Sequence, residues 1–215
     1  MIDFFDFVLE NYNDILVSIL RHIQLVGISI LIGILVSIPL GIFLSRHKSL
    51  AAPVLAIAGT IQTIPGLVML GFALIFIGIG VLPAIVVLSL YAILPILRNT
   101  YTGITEVNKS YTESARGIGM TNMQTLFKVE LPIALPTIIS GIRLSTVYIV
   151  SWATLAGLIG AGGLGDLIWT GLSTYNTNDI LAGAIPSAIL AFILSGLVGV
   201  LQRVLTPRGL RKVRT

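Results

Sequence analysis

Few side chains in this sequence could carry out enzyme chemistry. It has no cysteine and only two histidines, His22 and His47, so it lacks a thiol nucleophile and the ligands of a histidine-based metal site. The glycine-rich segment 160–165 fits the G-x-G-x-x-G pattern, but a dinucleotide loop also requires a preceding strand in a soluble βαβ unit. The sequence contains neither an HExxH nor a GxSxG motif. It therefore predicts that the protein is not an enzyme.

The most informative spacing lies in one charged segment, residues 100–131. Both Ser110 to Glu113 and Thr121 to Gln124 fit a capping box, which satisfies free backbone N–H groups of a helix. Gly119 lies between them and is typical of a helix end, and Pro132 then suits the first turn of the next helix. This pattern predicts two short helices around a glycine. Such an ordered loop fits a docking element, with a plain amphipathic connector as the alternative.

The composition places this segment in a membrane protein. Of 215 residues, 55% are hydrophobic and 10% are charged, against about 25% charged residues in soluble domains. The mean hydropathy is +1.00. These values exclude a soluble enzyme and a disordered protein. They also exclude a nucleic-acid binder, despite a net charge of +4 and a pI near 9.6.

Hydropathy predicts an all-α, polytopic membrane protein with a single domain over residues 1–215. A crossing needs about 20 apolar residues, and the uncharged run from Ser49 to Leu97 is long enough for two crossings that turn back near Gly78. An acidic start argues against a signal peptide, so residues 1–20 are predicted to lie at the membrane surface. The predicted spans are residues 23–45, 52–77, 82–99, 132–165 and 180–202, followed by a basic tail at 203–215.

The basic residues predict the orientation. With the N-terminus outside and five crossings, Arg21 is the one Lys or Arg in the outer segments, and the other twelve fall inside. This orientation places segment 100–131 and the C-terminus in the cytoplasm. Arg143 interrupts the fourth apolar run, so we expect the fourth helix to project into the cytoplasm and Arg143 to snorkel near the inner boundary.

The predicted spans contain no Asp or Glu, which argues against a proton-driven carrier, although sodium bound by backbone oxygens is not excluded. Five helices are few to enclose a pathway, so we expect a second subunit and an external energy source. Small residues recur every fourth position, from Ser29 to Gly41 and from Gly183 to Gly199. They indicate close helix contacts, either within the subunit or with its partner.

Segment 100–131 resembles the EAA loop of ABC-importer permeases. Glu113-Ser114-Ala115, then Gly119, then an aliphatic residue, one residue and Leu131-Pro132 reproduce that pattern at matched spacing, with Ser114 in place of alanine. The resemblance implies a coupling helix that inserts into a cytoplasmic ATPase. It also implies that Ala115 and Gly119 allow close seating, and that Glu113 caps its helix or pairs with a basic residue of the ATPase.

Further motifs are similar to the osmoprotectant branch of these permeases. They are Ile61–Leu67, Leu94–Gly103 and Leu158–Asp166. The resemblance implies a type I importer fold in a bacterial inner membrane, carrying quaternary ammonium solutes such as glycine betaine, carnitine or choline. A methionine-type or other amino-acid importer is the alternative. It also implies a second permease subunit, a substrate-binding protein, and two ATPase subunits that bind ATP and Mg, with no cofactor on this chain.

Several residues are candidates for the pathway of such a permease. Pro65 and Gly66 interrupt the second span, as either a hinge or a static bend. Glycines in segment 160–165 would form an outer loop or gate. Aromatic faces could contact a quaternary ammonium ion, or they could simply pack in the core. The lining candidates are Met69, Tyr91, Tyr148, Ser151, Trp152 and Thr154, and the gate candidates are Gly162 and Gly163.

Overall fold

The computed structural model describes residues 4–206, all of whose regular elements are helical. Met1–Asp3 and most of the predicted basic tail, residues 207–215, lie outside the described residues. The α-helices are α1 (Phe4–Glu10), α2 (Tyr12–Arg46), α3 (Lys48–Thr63), α4 (Gly66–Phe76), α5 (Val81–Thr105), α6 (Lys109–Gly117), α7 (Asn122–Thr125), α8 (Leu131–Leu155), α9 (Leu164–Thr174) and α10 (Thr177–Leu205). A π-helical turn, Leu126–Glu130, joins α7 to α8, and a 3₁₀ turn, Ala156–Ile159, follows α8.

Within residues 4–206, four stretches are long and apolar enough to cross a membrane: α2, α5, the run Asn122–Ile159, and α10. The pair α3 and α4, bent by 91°, is apolar enough to add a fifth crossing if it is counted as one broken span. It starts beside the end of α2, and the turn after it reaches segment 156–165, because the Gly80 N–H donates to the Ile159 carbonyl at 2.8 Å. The predicted all-α polytopic fold is confirmed, with four to five helices that can span a membrane.

The second predicted span, residues 52–77, is interrupted at Pro65 and Gly66, where the sequence places a hinge or a bend. Pro65 has no N–H, and it restricts Ile64 to an extended conformation, with φ −70° and ψ 127°. The chain therefore changes direction and resumes as α4. The first long helix also starts earlier than its apolar run, at Tyr12, because amphipathic residues 12–22 continue it past the charged positions.

The fourth helix differs at both ends from the predicted span 132–165. It begins at Asn122, since the π turn lets Leu131 N–H donate to the Leu126 carbonyl and carries the helix through Pro132. It ends at Ile159, because Gly160 adopts a left-handed conformation with φ 71°. The helix is therefore longer at its start than the apolar run, and its projection into the cytoplasm stays a prediction.

The core lies where α2, α5 and α8 meet, around the fully buried Leu25, Leu88 and Ile149. The small-residue stripe of α2 faces α5. A Cβ on Gly33 would lie 2.9 Å from Ala92 Cβ, and Ser37 Oγ donates to the Ile93 carbonyl at 3.0 Å. This stripe therefore packs within the subunit.

The stripe of α10 packs within the subunit as well. A Cβ on Gly183 would lie 2.6 Å from the Leu164 carbonyl oxygen of α9. Further along α10, Ser195 Oγ accepts a hydrogen bond from Arg143 Nε at 3.0 Å. Arg143 thus has a polar partner on α10, and its depth relative to the bilayer stays a prediction.

Candidate functional site

The first part of the site is segment 106–130, which joins α5 to α8. Its helix α6 is capped by Asn108, whose side-chain oxygen accepts from the Ser110 N–H at 3.0 Å. The predicted capping box at Ser110 to Glu113 is wrong, because Asn108 occupies the cap and the helix begins two residues earlier than that box requires. The second predicted capping box, at Thr121 and Gln124, is confirmed in both of its hydrogen bonds.

Gly119 ends α6 in the left-handed region, with φ 83°. The Met120 N–H donates to the Ala115 carbonyl at 3.0 Å, and the Gly119 N–H donates to the Arg116 carbonyl at 2.9 Å. This turn satisfies free carbonyls at the helix end. A Cβ added to Gly119 would meet nothing within 4 Å. Glycine is therefore required by the backbone conformation and not by crowding from its own subunit.

Segment 106–130 presents both polar and apolar side chains to its surroundings. Glu113 and Ser114 are exposed, whereas Ala115 is buried against its own subunit. Large apolar side chains nearby are also exposed, including Tyr111 (56%) and Ile118 (76%). Together with Met123 and Phe127 they form a surface, residues 111–127, that suits contact with another protein.

An ion pair that sequence analysis missed fixes this segment to α2. Both oxygens of Glu130 accept hydrogen bonds from the guanidinium of Arg46, one of them at 3.1 Å. Glu130 is 6% exposed, so the pair is inaccessible on the carboxylate side. Leu131 continues into a cluster with Ile104 and Ile138. The sequence does show a charged residue, Glu130, directly before Leu131-Pro132, but its partner Arg46 lies 84 positions away and cannot be identified from spacing.

The second part of the site is the break between α3 and α4. Pro65 caps α4, and Gly66 lies directly against the indole of Trp152, since a Cβ on Gly66 would fall 1.4 Å from Trp152 Cζ3. Trp152 stacks on Tyr91, with ring centroids 4.8 Å apart. Three predicted residues, Tyr91, Tyr148 and Trp152, therefore line one cavity of about 270 Å³. Its fourth lining residue, Gln62, was missed by sequence analysis.

The remaining lining candidates lie elsewhere. Met69 packs against the core of the subunit. Ser151 is exposed, and its hydroxyl donates to the Val147 carbonyl within its own helix at 3.3 Å. Thr154 faces α9, where its carbonyl accepts from Trp169 Nε1 at 3.1 Å. The structure therefore separates these three residues from the aromatic cavity.

Gly162 and Gly163 lie at the opposite end of the bundle from segment 106–130. Both have positive φ, 75° and 84°. Arg21 Nε donates to the Ala161 carbonyl at 3.3 Å, and a Cβ on Gly163 would lie 3.3 Å from His22 Nδ1. The glycine segment is therefore attached to the start of α2.

The arrangement of helices is that of a type I ABC importer permease. A chain of the MetNI methionine ABC transporter, in an inward-facing conformation, matches it with a TM-score of 0.80 over 90% of this chain and 97% of that chain, at 24% identity. The family model for binding-protein-dependent transport system inner membrane components matches residues 29–211. The chain belongs to this family, and it is a transport permease subunit and not an enzyme.

Relatives within the family are similar over nearly their whole length. The choline transport system permease protein OpuBB of Bacillus subtilis is 46% identical over 97% of this chain and 96% of its own. The carnitine transport permease protein OpuCB of Listeria monocytogenes is 46% identical over 95% of this chain and 94% of its own. Membership of the family implies a multi-pass inner-membrane protein that works with an ATPase and a substrate-binding component.

Proposed function

We propose that this chain forms the translocation pathway of an ATP-driven importer of osmoprotectants, quaternary ammonium solutes such as choline, carnitine or glycine betaine. The observation that carries the proposal is 46% identity, over almost the entire chain, to permeases named for choline and carnitine transport. The methionine transporter shares the fold at 24% identity. The importer for quaternary ammonium solutes is therefore favoured over the methionine type.

Segment 106–130 is the coupling element in this proposal. Its exposed surface, residues 111–127, would bind a cytoplasmic ATPase, which holds ATP and Mg, and this chain itself would hold no cofactor. The segment continues as one helix into α8 and is joined to α2 by the Arg46–Glu130 pair. A displacement of the segment by the ATPase would therefore move two core helices together. This gives ATP and solute one conformational equilibrium that both can bias.

The assembled importer would contain two permease subunits, either two copies or two related chains, and two ATPase subunits. A substrate-binding protein would deliver the solute at the end of the bundle that carries segment 160–165. Gly162 and Gly163 would then lie at the outer gate, and the N-terminus would be outside and the C-terminus in the cytoplasm.

The charge distribution supports this orientation. Arg21 is the basic residue beside segment 160–165, whereas Arg46, Lys109, Arg116 and Lys128 lie at the end with segment 106–130. The natural absence of cysteine allows a direct test with single cysteines at Ile118 and Tyr175, both exposed. In intact cells, a membrane-impermeant maleimide should label Tyr175→Cys but not Ile118→Cys. The reverse pattern would contradict the proposed topology.

The transport proposal requires uptake measurements with the complete importer. The chain is co-purified with its ATPase and its substrate-binding protein, reconstituted into liposomes, and supplied with radiolabelled choline, carnitine, glycine betaine or methionine. We expect ATP-dependent uptake of at least one quaternary ammonium solute, no uptake with a non-hydrolysable nucleotide, and none of methionine. Uptake of methionine alone would favour the amino-acid importer. Solute flux through the chain alone, without nucleotide, would indicate a self-contained channel or carrier.

A further inference from the structure

We propose that the cavity between Gln62, Tyr91, Tyr148 and Trp152 is a transit site for the cationic end of a quaternary ammonium solute. This inference rests on the function proposed above and assigns a place in the permease where the solute is recognised. The cavity lies at the break between α3 and α4, so its shape depends on the bend between these two helices.

The side-chain donors of Gln62 and Tyr91 are directed to backbone carbonyls. Gln62 Nε2 donates to the Tyr91 carbonyl at 2.9 Å. The hydroxyl of Tyr91 donates to the carbonyl of Ile64, within the break. These two bonds fix α5 to the bend from both sides. What Gln62 and Tyr91 then offer to the cavity is an amide oxygen and an aromatic ring, both of which carry negative electrostatic potential.

Aromatic rings supply most of the wall. Trp152 and Tyr91 are stacked, with their planes 15° apart, and Trp152 is held in place against the backbone of Gly66. Tyr148 lies one helical turn before Trp152 on α8 and is 46% exposed, so it forms the outermost wall. The Tyr91–Trp152 stack and Tyr148 thus border one space, and a ring face that is turned toward it can attract a quaternary ammonium group through the cation–π interaction.

The size and charge of the cavity also fit this solute class. Its volume of about 270 Å³ lies just below the range of about 300–1,000 Å³ typical of pockets for drug-sized ligands, which suits a small solute. Its lining residues carry no formal charge. A primary ammonium has three N–H groups that need acceptors when it leaves water, more than the amide oxygen of Gln62 can supply, whereas a quaternary ammonium has no N–H group to satisfy. The wall therefore favours the quaternary ion.

Weak binding is what a transit site requires. A carboxylate in the wall would hold the cation strongly, whereas a solute in a transport pathway must also leave. Aromatic faces without a carboxylate give a modest attraction that offsets the loss of hydration during passage. The cavity would thus select the charge type of the solute without retaining it.

The test replaces Tyr148, because its exposure makes a change there compatible with folding. Tyr148→Leu removes the aromatic face, and Tyr148→Phe retains it and serves as the matched control. Both variants are assayed in the complete reconstituted importer with saturating, solute-loaded binding protein. We expect Tyr148→Leu to lower the maximal rate of choline uptake about fivefold, which corresponds to one cation–π contact, and Tyr148→Phe to remain within about twofold of the unmodified importer.

A further measurement separates the outcomes. Both variants should retain ATPase activity that the binding protein stimulates, which shows that the complex assembles and that the ATPase still responds to the loaded binding protein. Should the Leu variant fail to assemble, Tyr148→Met replaces it, since Met is flexible and tolerated in irregular spaces. Equal uptake by the Tyr148→Phe variant and an assembled non-aromatic variant would overturn the transit site, while ATP-driven choline uptake by the unmodified importer would still stand.

Discussion

Replacing Gly119 tests whether the turn after α6 is part of coupling. The perturbation is local, since a Cβ at this position would meet nothing within 4 Å in its own subunit. Its cost therefore comes from the backbone, which has φ 83°. A non-glycine residue in the left-handed region costs about 1–2 kcal/mol, and a β-branched residue lies at the upper end. Asparagine visits this region more readily.

These values predict an order among three variants. Gly119→Asn should retain most of the coupling. Gly119→Ala should lose about 1 kcal/mol of stability of the turn and Gly119→Val about 2 kcal/mol, which lowers the ratio of ordered to disordered turns about 5-fold and about 30-fold. Insertion of the subunit should be unaffected in all three, because the core contacts of α2, α5 and α8 do not involve Gly119.

The assay is ATPase activity of the purified complex, with and without solute-loaded binding protein. We expect stimulation close to that of the unmodified complex for Gly119→Asn, reduced stimulation for Gly119→Ala, and almost none for Gly119→Val. Full stimulation in the Val variant would refute the reasoning and remove this segment from the mechanism. Loss in the Asn variant with retention in the Ala variant would instead indicate that the partner excludes larger side chains.

Two further predictions concern the packing that supports the site. Arg46→Met should lower the free energy of unfolding by about 1–3 kcal/mol, because it leaves the buried Glu130 carboxylate without its partner. The double variant Arg46→Met/Glu130→Leu should recover most of this loss. Thermal unfolding of the purified subunit in detergent measures both variants, and a double variant as unstable as the single one would contradict the ion pair. Gly66→Ala should lower the free energy of unfolding by at least about 1–3 kcal/mol, since its Cβ would overlap Trp152. The control Gly59→Ala has open space around it and should be neutral or stabilising in the same measurement. Equal effects of the two substitutions would show that Trp152 does not lie on Gly66.

Much of the fold could be predicted from hydropathy because crossing a bilayer requires long apolar runs. The last span is an example, predicted at 180–202 and observed within α10 (Thr177–Leu205). The boundaries were less predictable where polar residues continue a helix, as in α2 from Tyr12. Hydropathy also does not report the direction of a helix axis. It therefore joins residues 52–77 into one span, although the helix axes before and after Pro65 differ by 91°.

The candidate site was predictable only where its signals are local. Thr121 and Gln124 satisfy each other three residues apart, so their capping box is visible in the sequence. Ser110 has the same local pattern, but Asn108 caps the helix instead, so the capping box at Ser110 does not form. The bond between Arg46 and Glu130 joins positions 84 residues apart. Such contacts depend on how the helices pack, which residue spacing does not specify.

The central claim is that segment 106–130 transmits the work of a separate ATPase to the permease helices. A single cysteine at Ile118, 76% exposed in this segment, can be introduced into the naturally cysteine-free chain. A bifunctional thiol-reactive reagent, applied to the assembled importer, then joins it to single cysteines placed across the ATPase surface. We predict a cross-link between Ile118→Cys and the ATPase whose yield changes when ATP is trapped in the complex. No cross-link to any position on the ATPase, in an assembled and active importer, would contradict the account.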